Sequence, residues 1–209
     1  DLKPFAVDDD RDMIRSKMGL ASHEVAVAMF SRLNPWKGHR IFIDAMERVF
    51  KKFSECRAFI VGGATAKLQP YEKELKEKVN QRNLANKILF TGQRSDVPRL
   101  MKAMDVVVHA STDPDPYPGV VVEAMLMGCP IIASNQGGPA EALVDEVTGL
   151  LCIPGDSETL ANKILAFALK PEWRAQIGMT AKKVAWKRYS IEKHTQNIEQ
   201  IYERLLLTN

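Results

Sequence analysis

Six short apolar runs punctuate the first three quarters of the chain: VAVAMF at 25–30, AFIV at 58–61, ILF at 88–90, VVVH at 106–109, PIIA at 130–133 and GLLC at 149–152. The first is nearly all apolar, as expected of a strand covered on both faces. Most of these runs are separated by stretches with helical spacing. Residues 39–53 place Ile41, Phe42, Ala45, Met46, Val49, Phe50 and Phe53 on one stripe. Further helices are predicted over 71–81, from a Ser95-Asp96 cap to 103, and over 119–127. An initial short helix is expected from the Asp8-Asp9-Asp10 run to Met18, stopped by Gly19 after an extended 1–7, and three helices close the chain at 157–169, 171–187 and 191–207. Strands alternating with helices at this spacing imply βαβ units, hence a parallel sheet with helices on both faces.

Such sheets bind ligands outside the carboxyl ends of their strands, where the strand order reverses. Every unusual loop in this sequence follows a strand. After the first comes SRLNPWKG, with Arg32 and Lys37 five positions apart (37 − 32 = 5) just before a helix. Arg offers a planar fork to phosphate oxygens and Lys a mobile point charge. The bland reading is two solvated surface cations. Gly62-Gly63 follows the second strand and Gly92-Gln93-Arg94 the third. The latter is a loop of the size that holds a nucleobase, although glycines after strands are also ordinary turns.

The richest stretch is 112–138, TDPDPYPGVVVEAMLMGCPIIASNQGG, where Asp115 and Glu123 stand eight positions apart (123 − 115 = 8). The loop turns into a helix after Pro118. The first backbone N–H groups, at Gly119, Val120 and Val121, are then left without partners, a ready anion site. Glu123 lies in an apolar helix and needs a partner, for which sugar hydroxyls are suitable donors and a structural Arg the plain alternative. Gly137-Gly138 offers a backbone a ligand can approach, and Glu141 sits near a helix start where any carboxylate is favourable. His39 and His109 read as structural, and no Ser-His-Asp or Cys-His pair is legible.

Composition narrows the function classes. At 209 residues with 45% hydrophobic and 26% charged, the chain can bury a sizeable core as one large domain or a tight pair. A net charge of +3 is too mild to argue for nucleic acid. No run reads as membrane-spanning and no signal peptide is legible at the start. Cys56, Cys129 and Cys152 are widely spaced in apolar surroundings. They read as buried reduced thiols of a cytoplasmic protein, without zinc spacing. The basic cluster Lys182, Lys183, Lys187 and Arg188 reads as a solvated helix face, a peripheral membrane or partner contact being the second reading.

Taken in order, SRLNPWKG, IVGG, FTGQRSDV, DPYPGVVVEAMLMGCPIIAS and GGPAEAL resemble the retaining GT-B glycosyltransferases of family 4, the "group 1" enzymes. The resemblance covers nearly the whole chain but matches only the C-terminal, nucleotide-sugar-binding half of such an enzyme. It implies a Rossmann-like doubly wound sheet of about six strands. A single domain would span 1–209, with a core at 8–188 and a closing helix at 189–209, and the N-terminal acceptor half absent. By resemblance Arg32 and Lys37 bind the donor diphosphate, and Asp115 stands for the first acid of the E-x7-E motif, facing the transferred sugar. Glu123 takes the ribose hydroxyls, and Gln93 and Arg94 the base. Pro118 and Gly119 depart from the family pattern in order, which affects the sugar pocket rather than the nucleotide site. The family needs no metal. The implied donor is a UDP-, GDP- or ADP-sugar and the implied acceptor a carbohydrate or lipid-linked sugar. Two rivals stand beside this reading, a nucleotide-sugar epimerase of the same fold and a non-catalytic nucleotide-binding module.

Overall fold

The structure is a computed structural model that describes Phe5 and residues 9–207. The extended lead-in expected at 1–7, Phe5 apart, and the Asp8 helix start lie outside the described residues. Six strands form one sheet: β1 (Val25–Phe30), β2 (Cys56–Val61), β3 (Ile88–Gly92), β4 (Val106–His109), β5 (Ile131–Ser134) and β6 (Leu150–Cys152). Their order is β3-β2-β1-β4-β5-β6, and every pairing is parallel. The chain therefore winds outward one way from β1 and then back through β4 the other way. The reversal falls between β1 and β4, and ligand crevices open at such points.

The pleat sends alternate residues of β1 into two separate cores. Val27 and Met29 join one side with α2 (His39–Lys52), α3 (Gln69–Gln81) and α7 (Ser157–Leu169). Ala26, Ala28 and Phe30 join the other with α1 (Arg11–Lys17), α4 (Val97–Ala103) and α5 (Gly119–Met127). The helix α8 (Pro171–Arg188) contributes Ile177 to the first core and Ala181 and Ala185 to the second. Small alanines on the second face let α5 lie close to the strands, which brings the helix start down to the sheet edge. The strand bounds shift by one or two residues from the pattern-based ones. The β2 strand begins at Cys56, because Arg57 is half-buried and fits a pleat that apolar counting passes over.

Two local expectations change. Asp96 does precede α4, but its carboxylate is held by the Arg94 guanidinium at 2.8 and 2.7 Å and makes no cap bond. A charged fork outcompetes the backbone N–H for that acceptor. The helix start expected near Glu141 is the short α6 (Gly137–Ala142), with the glycine pair inside it. The last helix, α9 (Ile191–Leu207), leaves Ile198, Ile201, Tyr202 and Leu205 exposed.

At the opposite sheet edge, Asp105 gathers three arginines from two helices. Arg15 of α1 reaches Oδ2 at 2.9 Å, and Arg11 reaches Oδ1 at 2.8 Å. Arg174 of α8 reaches Oδ1 at 3.3 Å, and the backbone N–H of Ala26 donates to Oδ2 at 2.8 Å. Arg15 is buried and also donates to the carbonyl of Ala103, so its charge has no solvent to fall back on. Removing one partner of a buried pair costs about 3–5 kcal/mol, because the other charge stays behind. Asp105→Ala is expected to lose stability in that range in urea denaturation, with Arg11→Ala, on the half-exposed side, losing about 1 kcal/mol or less.

Candidate functional site

Four of the post-strand loops interlock at the reversal of strand order. Gly38, at φ +82, ends a single 3-10 turn (Pro35–Lys37). A Cβ there would stand 1.8 Å from the carbonyl oxygen of Ala110, so only glycine lets the first loop meet the fourth. The Thr112 backbone N–H then donates to the Trp36 carbonyl at 2.8 Å. Gly62 approaches the carbonyl of Ser31 in the same way, and the Leu33 N–H reaches the carbonyl of Gly63 at 3.1 Å. The Gly62 N–H donates to the Gly92 carbonyl at 2.9 Å, which draws in the third loop.

These seams put Lys37 against Asp115. The Lys37 Nζ donates to Asp115 Oδ2 in a largely buried ion pair and lies 3.9 Å above the Trp36 ring. His109, the last residue of β4, approaches the same Oδ2 at 3.2 Å through Nε2, which is also 3.0 Å from Ser111 Oγ. Burial alone would raise the Asp115 carboxyl, but the bonds from Lys37 and His109 outweigh it and hold the acid below the usual range. Burial lowers the His109 imidazole, more than the neighbouring carboxylate raises it. The sequence reading took His109 as structural and missed this contact. Its place at the carboxyl end of a strand, six residues before Asp115, was the available signal.

Glu123 lies one turn inside α5 and is half-buried. Helical side chains tilt toward the N-terminus, and Glu123 Oε1 comes within 3.5 Å of where a Cβ at Gly119 would stand. No donor reaches the carboxylate among the described residues, and burial pushes its pKa up. The structural Arg of the plain alternative is therefore not there. Arg32 is exposed at the rim of the first loop, without an ion-pair partner among the described residues.

Other candidates are distributed unevenly. Pro118 is the buried residue before α5, whose start has no side-chain cap. The Val121 N–H, expected to be open, donates to the Pro118 carbonyl at 3.0 Å, since the first turn tightens. Gly119 and Val120 form the first turn of α5, whose start has no side-chain cap. Gly138 does not open a backbone to ligand either. Its missing Cβ leaves room for the Pro116 carbonyl, 2.6 Å from where the Cβ would be, and its N–H donates to the Asp115 carbonyl at 2.8 Å. The pair Gly137-Gly138 thus seats the Asp115 loop on α6. A Cβ at Gly63 would stand 3.5 Å from Gln93, an ordinary contact, while Gln93 and Arg94 are exposed, Arg94 being engaged with Asp96. Glu141 is exposed in α6, where Arg188 reaches its backbone carbonyl at 3.4 Å, and among the described residues nothing ties its carboxylate to the cluster.

A six-stranded parallel sheet in this order, with helices on both faces and two carboxylates at its reversal, defines a doubly wound domain of Rossmann type. The sequence profile of "Glycosyl transferases group 1" matches residues 10–184, and the chain belongs to that family. Among curated relatives, a lipopolysaccharide core mannosyltransferase of Rhizobium meliloti is 28% identical over 99% of this chain and 59% of its own length. Anabaena HepE, solved in complex with UDP, superimposes with a TM-score of 0.91 at 35% identity, covering 98% of this chain and 55% of that one. The C-terminal domain of a group 1 glycosyl transferase from Francisella tularensis gives 0.83 at 28% identity, over 91% of this chain and 98% of that one. The chain thus spans little more than half the length of its full-length relatives.

Beside the site, His39 is fully buried at the start of α2, 3.0 Å from Ser31 Oγ, and burial, with the charge of Lys37 adding, lowers its pKa to about 4. A base depressed below its ordinary value of 6.5 stabilises the fold in its neutral form. That stability is complete above pH 6.5 and is lost as the unfolded chain protonates between 6.5 and about 4. The loss amounts to roughly 2 kcal/mol by pH 5. Urea midpoints measured at pH 7 and pH 5 should fall accordingly, and His39→Gln should flatten that slope.

Proposed function

We propose that this chain is the donor half of a retaining glycosyltransferase, binding a nucleoside-diphosphate sugar and presenting its anomeric carbon. The observation that carries this reading is the likeness to Anabaena HepE, 35% identical over 98% of the chain and solved with UDP, UDP with glucose, and UDP-glucose. UDP is accordingly the first nucleotide to test. The mannosyl and glucosyl relatives leave the sugar to experiment, and a thermal-shift panel of UDP, GDP, ADP and TDP decides the base.

In this scheme the diphosphate lies over the start of α5, between Arg32, Lys37 and the N–H groups of Gly119 and Val120. Charge developing on the leaving diphosphate meets positive groups already in place, without a metal. Lys37 carries three donors, so it can keep Asp115 and still reach a phosphate oxygen. The unpartnered Glu123 carboxylate accepts from the ribose hydroxyls, whose donation offsets the cost of its burial. Asp115 faces the sugar. The acceptor belongs to a wall this chain does not supply, and α9, with its exposed Ile198 and Ile201, fits a helix that packs across to such a wall.

Arg32→Ala should weaken UDP binding by about 1.5–3 kcal/mol, the worth of hydrogen bonds to charged groups, without unfolding the domain. Lys37→Ala should do the same, with some loss of stability because the buried Asp115 carboxylate loses its charged partner and keeps only His109. Calorimetric titration in which both variants keep wild-type affinity would remove the diphosphate from this loop.

The two carboxylates should separate. Glu123→Gln weakens binding of bare UDP, whereas Asp115→Asn leaves it nearly intact and changes discrimination among sugars. The reverse pattern exchanges their roles. Positioning of donor and acceptor supplies roughly 7–11 kcal/mol of a transfer barrier. The chain alone is therefore expected to bind nucleotide at micromolar to millimolar strength and to show no transfer. Release of free sugar-nucleotide isomers without any acceptor would favour the epimerase reading instead.

A further inference from the structure

We infer that His109 is a positioning residue, whose Nε2–H fixes the Asp115 carboxylate so that only its Oδ1 oxygen is offered to the sugar. This rests on the assignment of Asp115 to the sugar made above. The direction of the hydrogen bond follows from an orphan atom. His109 Nδ1 is buried and has no hydrogen-bond partner. A proton on Nδ1 would bury an unsatisfied N–H and turn the Nε2 lone pair toward the carboxylate Oδ2 at 3.2 Å. A proton on Nε2 leaves only a lone pair unmatched and donates into the anion. A doubly protonated ring would also strand Nδ1–H, in a site that already holds the Lys37 ammonium. The neutral Nε2–H form is the one the surroundings satisfy.

That single proton faces two acceptors, Ser111 Oγ at 3.0 Å and Asp115 Oδ2 at 3.2 Å. Lys37 donates to the same Oδ2. Both protein donors thus converge on one carboxylate oxygen, while Oδ1 has no partner among the described residues. Three features hold the group in that orientation. His109 is the terminal residue of β4, in register with Ala133 of β5. The Gly138 N–H holds the Asp115 carbonyl at 2.8 Å, and Gln136 Nε2 holds the Ser111 carbonyl at 3.1 Å. Asp115 is therefore clamped through its main chain and one oxygen, with the other left for a hydroxyl donor.

Two measurements test this. Long-range 15N–1H correlation of the ligand-free chain should show His109 as the Nε2–H tautomer, with shifts that move in Asp115→Asn. Titration should show the ratio of UDP-glucose to UDP affinity falling roughly tenfold in His109→Leu, about the worth of one charged hydrogen bond. UDP affinity itself should change little. His109→Gln, which places an amide N–H near the position of Nε2, should recover most of that ratio, and a residue that merely fills space would give no such rescue. A proton on Nδ1 overturns the inference, as does a His109→Leu chain that folds and keeps the wild-type ratio. If the wild-type chain binds no nucleotide at all, the donor-half reading falls, and the tautomer measurement still decides the His109 assignment on its own.

Discussion

Everything at the carboxyl edge of this sheet depends on backbone approaching backbone where no side chain can fit. Gly38 against the Ala110 carbonyl joins the loops of β1 and β4, and Gly62 against the Ser31 carbonyl joins those of β2 and β1. Gly137 and Gly138 let the Asp115 loop sit on α6. Loops in general are the most mobile part of a domain. Here their backbones are coupled so closely that Lys37, Asp115 and the start of α5 keep fixed relative positions. Preorganised charge acts only if it is already in place when the reaction needs it.

The electrostatics follow the same logic. Lys37 and Asp115 are largely buried, so each is held by the other's charge. Glu123 is the opposite case, a half-buried carboxylate raised by burial and without a donor among the described residues. One carboxylate is conditioned by ion pairing within the protein, and the other only by its burial. That asymmetry distinguishes the two acids better than their spacing does.

Much of this was legible in the sequence, for reasons that can be named. The six apolar runs became the six strands, because a doubly covered parallel sheet leaves no wet face to blur the pattern. Helices with a clear stripe, such as α2, came out within a residue or so. The Asp115–Glu123 spacing placed both acids correctly on a loop and on a helix. What escaped were properties of packing. No pattern says that the Val121 N–H turns back to Pro118, or that Gly138 serves a neighbouring loop rather than a ligand. The capping role expected of Asp96 failed because a guanidinium two residues away competes for the same oxygens. The contacts of His109 with Asp115 and Ser111 could not be read off either, because a histidine in an apolar strand looks the same in sequence whether its ring ends in a core or against a carboxylate.

The three cysteines carry a practical consequence. Cys56, Cys129 and Cys152 are buried and unpaired, and burial pushes each thiol up to about 12. Thiolate is the reactive form, so at neutral pH the folded chain offers almost nothing to an alkylating probe. A single cysteine introduced on an exposed surface, for example at the tip of α9, would be the one group to take a dye or spin label. Movements of that helix against the rest of the chain could then be followed without first stripping the native thiols from the core.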